Sequence, residues 1–212
     1  MPNSADDIKP SIGIILLAAG ASRRMGQPKQ LLKIGSQTVL EKAINLTQAL
    51  KKQHTVVVLG ANANRMQQLI KKRATLATIF NKNWHLGMGT TLSAGMNYFL
   101  QKEIDVEAVI VMVCDQPYLT TEKLESLIDA FQNSSANIIA TTYNDILGVP
   151  ALFSKNLFPK LAQLNKDEGA RKIIKQYEGK VISIPFPEGV FDLDTPEAYA
   201  AYLEKEGLNV DK

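Results

Sequence analysis

The sequence predicts an α/β protein of three layers, with a mostly parallel central sheet and helices on both faces. Several short runs are apolar without polar alternation, which is how strands covered on both faces read. Ile12–Ala18, His54–Leu59 and Glu107–Val113 are such runs. Stretches of helical spacing separate them, and strand and helix alternate four times before Gln132, as in a parallel sheet built from crossover units. The 212 residues, 45% apolar and 21% charged, fit a single folded unit with a sizeable core.

Taken in order, Ile12–Ala18 is the first strand, and the small-residue turn Ala19-Gly20-Ala21-Ser22 ends it. Thr38 to Leu50 carries apolar residues at helical spacing, and Gly60 and Asn62 close the strand His54–Leu59. A helix is expected from about Ala63 to Lys72, a strand over Leu76–Phe80 and a helix over Thr90–Leu100. The most apolar strand, Glu107–Val113, ends in the turn Cys114-Asp115-Gln116-Pro117. Thr120 or Thr121 caps the helix after it. The pattern then loosens. Asn137–Thr142 and Leu147–Phe153 read as strands with no helix between them, followed by short helices over Lys155–Leu164 and Glu168–Tyr177. Val181–Ile184 and Val190–Leu193 are expected strands, and Thr195 with Pro196 starts a closing helix.

No apolar run approaches the roughly 20 residues that span a bilayer. The opening MPNSADDIKP is too polar and acidic for a leader peptide. One cysteine, Cys114, excludes a disulfide framework or a cysteine-built zinc site. A cytoplasmic protein without membrane partners is expected. Charge is split along the chain: between Ile8 and Gln101 thirteen cations face only Glu41, about +12, while from Lys102 onward eleven cations face eighteen acids, about −7. Lys51-Lys52 and Lys71-Lys72-Arg73 read as solvated helix ends. Arg23, Arg24 and Lys29 differ, because they lie in a glycine-bearing loop directly after a buried strand, where open α/β sheets bind ligands. Backbone N–H groups and three cations suit a polyphosphate. Aromatics are few and no nucleic-acid module is recognisable, so nucleic acid is not an expected partner.

The loop has neither the G-x-x-x-x-G-K-[ST] of a P-loop nor the G-x-G-x-x-G of a dinucleotide fold. Its form, L-A-A-G-A-S-R-R-M-G-Q-P-K-Q-L-L, resembles the signature of nucleotidyltransferases. More narrowly, it is similar to that of the molybdenum cofactor cytidylyltransferases and their relatives. The resemblance runs from Ile12 to about Glu197 and implies a Rossmann-like nucleotidyltransferase fold. It implies one domain over residues 1–212, with 1–10 flexible, a nucleotide-binding part at about 11–120 and an acceptor-binding part at about 121–200.

By motif position, the resemblance places the backbone of Ala18, Ala19 and Gly20 against base and ribose, and gives the triphosphate to Arg24 and Lys29, with Arg23 a weaker carry-over. Asn81 to Gly95 is similar to a segment that closes on the nucleotide, which implies Asn81, Thr91 and Gly95 near base and ribose. Asp115 follows the most apolar strand, where an unpaired carboxylate either supports the next helix start or holds a divalent ion; the family pattern G-D-x-P favours the ion. In Phe191-Asp192-Leu193-Asp194-Thr195-Pro196-Glu197, similar to a family D-I-D-T-P-E-D, Asp194 is the implied second metal ligand and Asp192 its support. Arg24, Lys29 and Asp115 are thus the implied catalytic residues, with Mg²⁺ (Mn²⁺ as the alternative) on Asp115 and Asp194. Gly148-Val149-Pro150 is similar to the acceptor-side G-H-P with valine in place of histidine, which implies Gly148, Pro150 and Arg171 as acceptor contacts. The implied partners are an NTP, CTP by preference, a phosphorylated acceptor such as molybdopterin, and a molybdoenzyme that receives the product. Transfer to a sugar phosphate, or cofactor binding without turnover, are the alternatives.

Overall fold

The computed structural model describes residues 11–50, 53–70 and 74–208. Its frame is a seven-stranded sheet in the order β5-β4-β1-β6-β8-β7-β9. In chain order the elements begin with β1 (Ile12–Ala18), the small antiparallel pair β2 (Lys33–Ile34) and β3 (Gln37–Thr38), and α1 (Val39–Ala49). They continue with β4 (His54–Leu59), α2 (Ala63–Gln67), β5 (Leu76–Phe80), α3 (Met88–Gln101), β6 (Ala108–Val113) and α4 (Thr121–Gln132). The second half holds β7 (Ile138–Tyr143), β8 (Ile146–Ser154), α5 (Phe158–Ala162), α6 (Ala170–Gln176), β9 (Val181–Pro185) and α7 (Pro196–Lys205). The pairs β1–β4, β1–β6, β4–β5 and β7–β9 are parallel, and β8 runs against both β6 and β7. Six of the seven strands therefore share one direction, as the apolar runs predict.

The pleat explains why those runs lack polar alternation. Ile12, Ile14 and Leu16 of β1 pack with Leu40 and Ile44 of α1, Leu127 of α4 and Leu203 of α7. Ile15 and Leu17 of the same strand face the other way, into Leu92 and Met96 of α3 and Leu161 and Ile173 of α5 and α6. Every residue of β1 is buried, so both sets of side chains must be apolar. Each fully buried Ile or Leu contributes roughly 1.5–3 kcal/mol.

Helix starts follow local chemistry. Thr38 and Glu41 form a capping box on α1: Glu41 N–H donates to Thr38 Oγ1 at 3.1 Å, and Thr38 N–H donates to Glu41 Oε2 at 2.7 Å. Thr120, rather than Thr121, caps α4. Thr195 caps α7 with Pro196 at its first position, as the sequence predicts. The β7–β8 turn passes through Asn144 and Asp145, both at positive φ (48° and 58°). Asn and Asp are the residues that tolerate this conformation best after glycine, and a two-residue hairpin turn requires it.

Two expectations are corrected. The helix from Ala63 ends at Gln67 rather than near Lys72; Lys51, Lys52 and Lys71–Arg73 lie outside the described residues, as do 1–10. Val190–Leu193 is not a strand. Pro187–Val190 forms a short 3-10 turn, Leu193 N–H donates to the Asp115 carbonyl at 3.0 Å, and Asp194 N–H donates to the Asp192 carbonyl at 2.9 Å. Those donors are committed to loops, so no ladder forms. Among the described residues no helix is long and apolar enough to cross a membrane.

Candidate active site

All six co-directional strands end on one edge of the sheet, and β8 begins there. The loops leaving β1 and β6, the β7–β8 turn and the segment before α7 therefore meet at that edge. The Leu193–Asp115 backbone bond ties the last of these to the loop after β6. That link brings Asp194 to Asp115 across 79 residues of sequence.

Lys29 lies between the two acids. Its Nζ donates to Asp194 Oδ1 at 2.7 Å and makes a shorter ion pair with Asp115 Oδ2. Arg24 Nη2 donates to the other oxygen of Asp194 at 2.6 Å. The two cations are not equivalent: the Lys29 side chain is 15% exposed and that of Arg24 is 72% exposed. Burial works to lower the Lys29 pKa, but the Asp115 charge and hydrogen bonds from Asp115 and Asp194 outweigh it and raise the ammonium above its ordinary range. Asp194 moves down: burial pushes upward, and the hydrogen bond and charge of Lys29, helped by Arg24, more than reverse it. Asp192 lies beside them at the rim. Desolvation pushes its carboxyl up to about 7, and repulsion from Asp115 and Asp194 adds to this, against Lys29 and Arg171. Cys114 is buried, which pushes its thiol up to about 12, so it is no nucleophile.

A divalent ion fits these residues. Asp115 is 8% exposed, and its Oδ1 is buried with no hydrogen-bond partner, an arrangement that costs free energy unless a cation or donor completes it. Among the described residues no group of three or more His, Cys, Asp or Glu forms a metal cage. Two carboxylates suffice for Mg²⁺, which keeps water and phosphate oxygens as its other ligands.

Beside the acids lies a groove of about 430 Å³, lined by Ala18, Ala19, Gly20, Arg23, Lys29, Thr91 and Asp115 together with Trp84, His85, Met88 and Asp167. That volume is within the usual range for small-molecule sites. A Cβ on Gly20 would meet nothing within 4 Å, so the loop is open towards the groove. Asn81 is set back: it is buried and its Nδ2 donates to Thr90 Oγ1 and Thr91 Oγ1 at 3.0 and 3.1 Å. Gly95 lies behind the groove wall. It is buried at the α3–β1 contact, where a Cβ would lie 2.5 Å from Ile15 Cγ2 and 3.1 Å from Val58 Cγ2, and it does not line the groove. Helix–sheet packing explains this glycine.

On the acceptor side Gly148 and Pro150 are buried in β8. Gly148 packs against the Tyr143 ring, so neither presents a side chain to a ligand. Arg171 is exposed and donates to Tyr143 Oη at 2.9 Å, and its charge acts weakly on Asp192. The motifs assign no role to three polar residues: Gln30, 1% exposed behind the first loop; Gln116, whose Nε2 donates to the Val149 and Gly189 carbonyls at 3.2 and 3.0 Å; and Asp167 at the groove. Glutamine in a polar loop reads as solvated, and only the fold shows otherwise.

Residues 14–181 match the family model of the MobA-like NTP transferase domain. The chain belongs to this family. It is 26% identical over 196 residues to purine catabolism protein PucB of Bacillus subtilis (strain 168), covering 87% of this chain and 92% of the relative. It is 30% identical over 179 residues to nicotine blue oxidoreductase of Paenarthrobacter nicotinovorans, covering 79% and 83%. With molybdenum cofactor cytidylyltransferase of Escherichia coli (strain K12) it shares 26% identity over 196 residues, covering 92% and 97%. Among solved structures, Rv0371c from Mycobacterium tuberculosis H37Rv superposes with a TM-score of 0.74 at 25% identity, covering 92% of this chain and 98% of that one. As a MobA-like NTP transferase, this chain is a nucleotidyltransferase, an enzyme that binds an NTP and a phosphorylated acceptor.

Proposed function

We propose that this enzyme moves CMP from CTP to the phosphate of molybdopterin or the molybdenum cofactor and releases pyrophosphate, in the cytoplasm. The observation that carries the reading is the juxtaposition of Lys29, Asp115 and Asp194 beside an open groove large enough for a small molecule. The likeness to molybdenum cofactor cytidylyltransferase over nearly the whole of both chains supports the acceptor, and the Ala18-Ala19-Gly20 form of the loop supports cytidine.

In the proposed reaction an oxygen of the acceptor phosphate attacks the α-phosphorus of the NTP. One P–O bond forms, the bond to the β-phosphate breaks, and its electron pair leaves with pyrophosphate. Lys29 and Arg24 turn from their carboxylates to the phosphates and neutralise charge as it builds on the leaving group. Asp115 and Asp194 would hold the divalent ion, Mg²⁺ or Mn²⁺. When bound, that ion supplies Lewis-acid polarisation of the phosphates. Ala18, Ala19 and Gly20 hold base and ribose, with Arg23 at the rim. Thr91 serves from the groove wall and Asn81 orients it. Residues of about 121–200 receive the acceptor, with Arg171 as its cation. Gly148 and Pro150 shape that side through the backbone of β8.

A sugar phosphate acceptor is the second reading, favoured by Val149, which stands where the resembling motif has histidine. Each NTP paired in turn with molybdopterin and with sugar 1-phosphates, scored by pyrophosphate release, separates the two. The proposal expects CTP with molybdopterin to dominate; release only with sugar phosphates sinks it. Tight molybdopterin binding without release from any NTP would instead mark a carrier. In the productive pair Asp115→Ala should release pyrophosphate two to three decades more slowly, on the scale of losing one electrostatic contributor.

A further inference from the structure

We infer that Gln30 is a positioning residue that turns the first loop into an anion receptor by holding its carbonyl oxygens away from the groove. A loop that is to face a triphosphate must point N–H groups at it and keep C=O groups elsewhere. Here three consecutive carbonyls are taken inward. Gln30 Nε2 donates to the Ala18 carbonyl at 3.2 Å and to the Gly20 carbonyl at 3.0 Å, while the Ala19 carbonyl accepts from Ala61 N–H at 3.0 Å. Gly20, Ala21 and Ser22 donate no backbone hydrogen bond among the described residues, and all three line the groove.

The orientation of the Gln30 amide is fixed by its surroundings. Turned over, its oxygen would face two carbonyl oxygens; as placed, that oxygen accepts from Ser22 Oγ at 3.4 Å. Ser22 Oγ in turn accepts from Lys29 N–H at 3.0 Å. One side chain, 1% exposed, thus fixes both the loop backbone and the start of the turn that carries Lys29. Buried, fully satisfied polar groups of this kind rigidify what they hold. The inference rests on the reading of this loop as the phosphate site, and the experiment keeps the two apart.

The probe is inorganic tripolyphosphate with Mg²⁺, titrated calorimetrically into the full chain well below its melting temperature, with CTP and GTP in parallel. Gln30→Met keeps length and removes the donor. It should weaken tripolyphosphate about 10-fold or more, the scale of one hydrogen bond to a charged group. CTP and GTP should weaken by the same factor, because the carbonyl staple does not read a base, and the amide resonances of Gly20, Ala21 and Ser22 should shift. A folded Gln30→Met protein with a lower melting temperature but wild-type affinity overturns the inference and leaves Gln30 a packing residue. Should Gln30→Met not fold, Ser22→Ala, which loses the link to Gln30 and Lys29, carries the test. A severalfold loss is expected, and unchanged affinity overturns the inference. Failure of the wild-type chain to bind tripolyphosphate overturns the phosphate reading of the loop together with it.

Discussion

Lys29 is where the basic first half of the chain meets the acidic second. Its ammonium touches Asp115 and Asp194, and burial makes both contacts strong. Among the described residues Arg24 pairs only with Asp194, from a far more exposed position, where solvent screens the pair. Lys29→Met is therefore expected to cut pyrophosphate release by about two to three decades and Arg24→Ala by about one. The reverse order would move the principal clamp to Arg24. Asp192 gives a pH signature at the same scale. Its folded pKa, about 7, lies above the usual 3.8 of an aspartate. Between those values the folded protein keeps a proton that the unfolded chain has lost, so stability falls as pH rises from about 4 to 7 and then levels. Asp192→Asn removes that loss. The melting-temperature difference between variant and wild type, measured in EDTA, should grow in the variant's favour from pH 5 to pH 8; a difference independent of pH would contradict the assigned shift.

Elements differ in how legible they are. β1, β4 and β5 coincide with their predicted spans because runs of apolar and β-branched residues end at Ala-Gly, Gly-Ala and Asn, and nothing distant is needed to read them. The caps Thr38, Thr120 and Thr195 are local chemistry too. The segment 190–195 is different: its backbone donors pair with Asp115 and within a tight turn, and the partner is 78 residues away from Leu193. No local pattern states that. Gly95 shows a second limit. A motif marks that glycine is required, while only packing shows that α3 must approach β1 closely. Gly95→Ala should destabilise by about 1–3 kcal/mol, the usual cost of overpacking, and leave NTP affinity of the folded fraction unchanged. Denaturant titration and calorimetry together decide it; lost affinity at unchanged stability would assign Gly95 to the binding site. Thr38→Ala should cost about 1 kcal/mol through the capping box, again without a change in affinity.

At the scale of the whole molecule, the fold class follows from apolar runs and their alternation, whereas the site follows from the sheet. Asp115 and Asp194 come together because strands of one direction end on one edge. Dependence of that site on a divalent ion predicts that EDTA abolishes turnover and that Mg²⁺ or Mn²⁺ restores it. Activity persisting in EDTA would remove Asp115 and Asp194 from the metal role and leave Lys29 and Arg24 as their counter-ions.

The one strand that runs backwards has its own consequence. Because β8 opposes its neighbours, the chain enters it at the ligand edge, through the two-residue turn Asn144-Asp145. Residues added to or removed from that turn project into solvent, and the pairing of β1 with β4 and β6 does not register the change. Length at this hairpin is thus a free variable in an otherwise constrained sheet. A change of length there leaves the strands that end at the first loop and at Asp115 in their register.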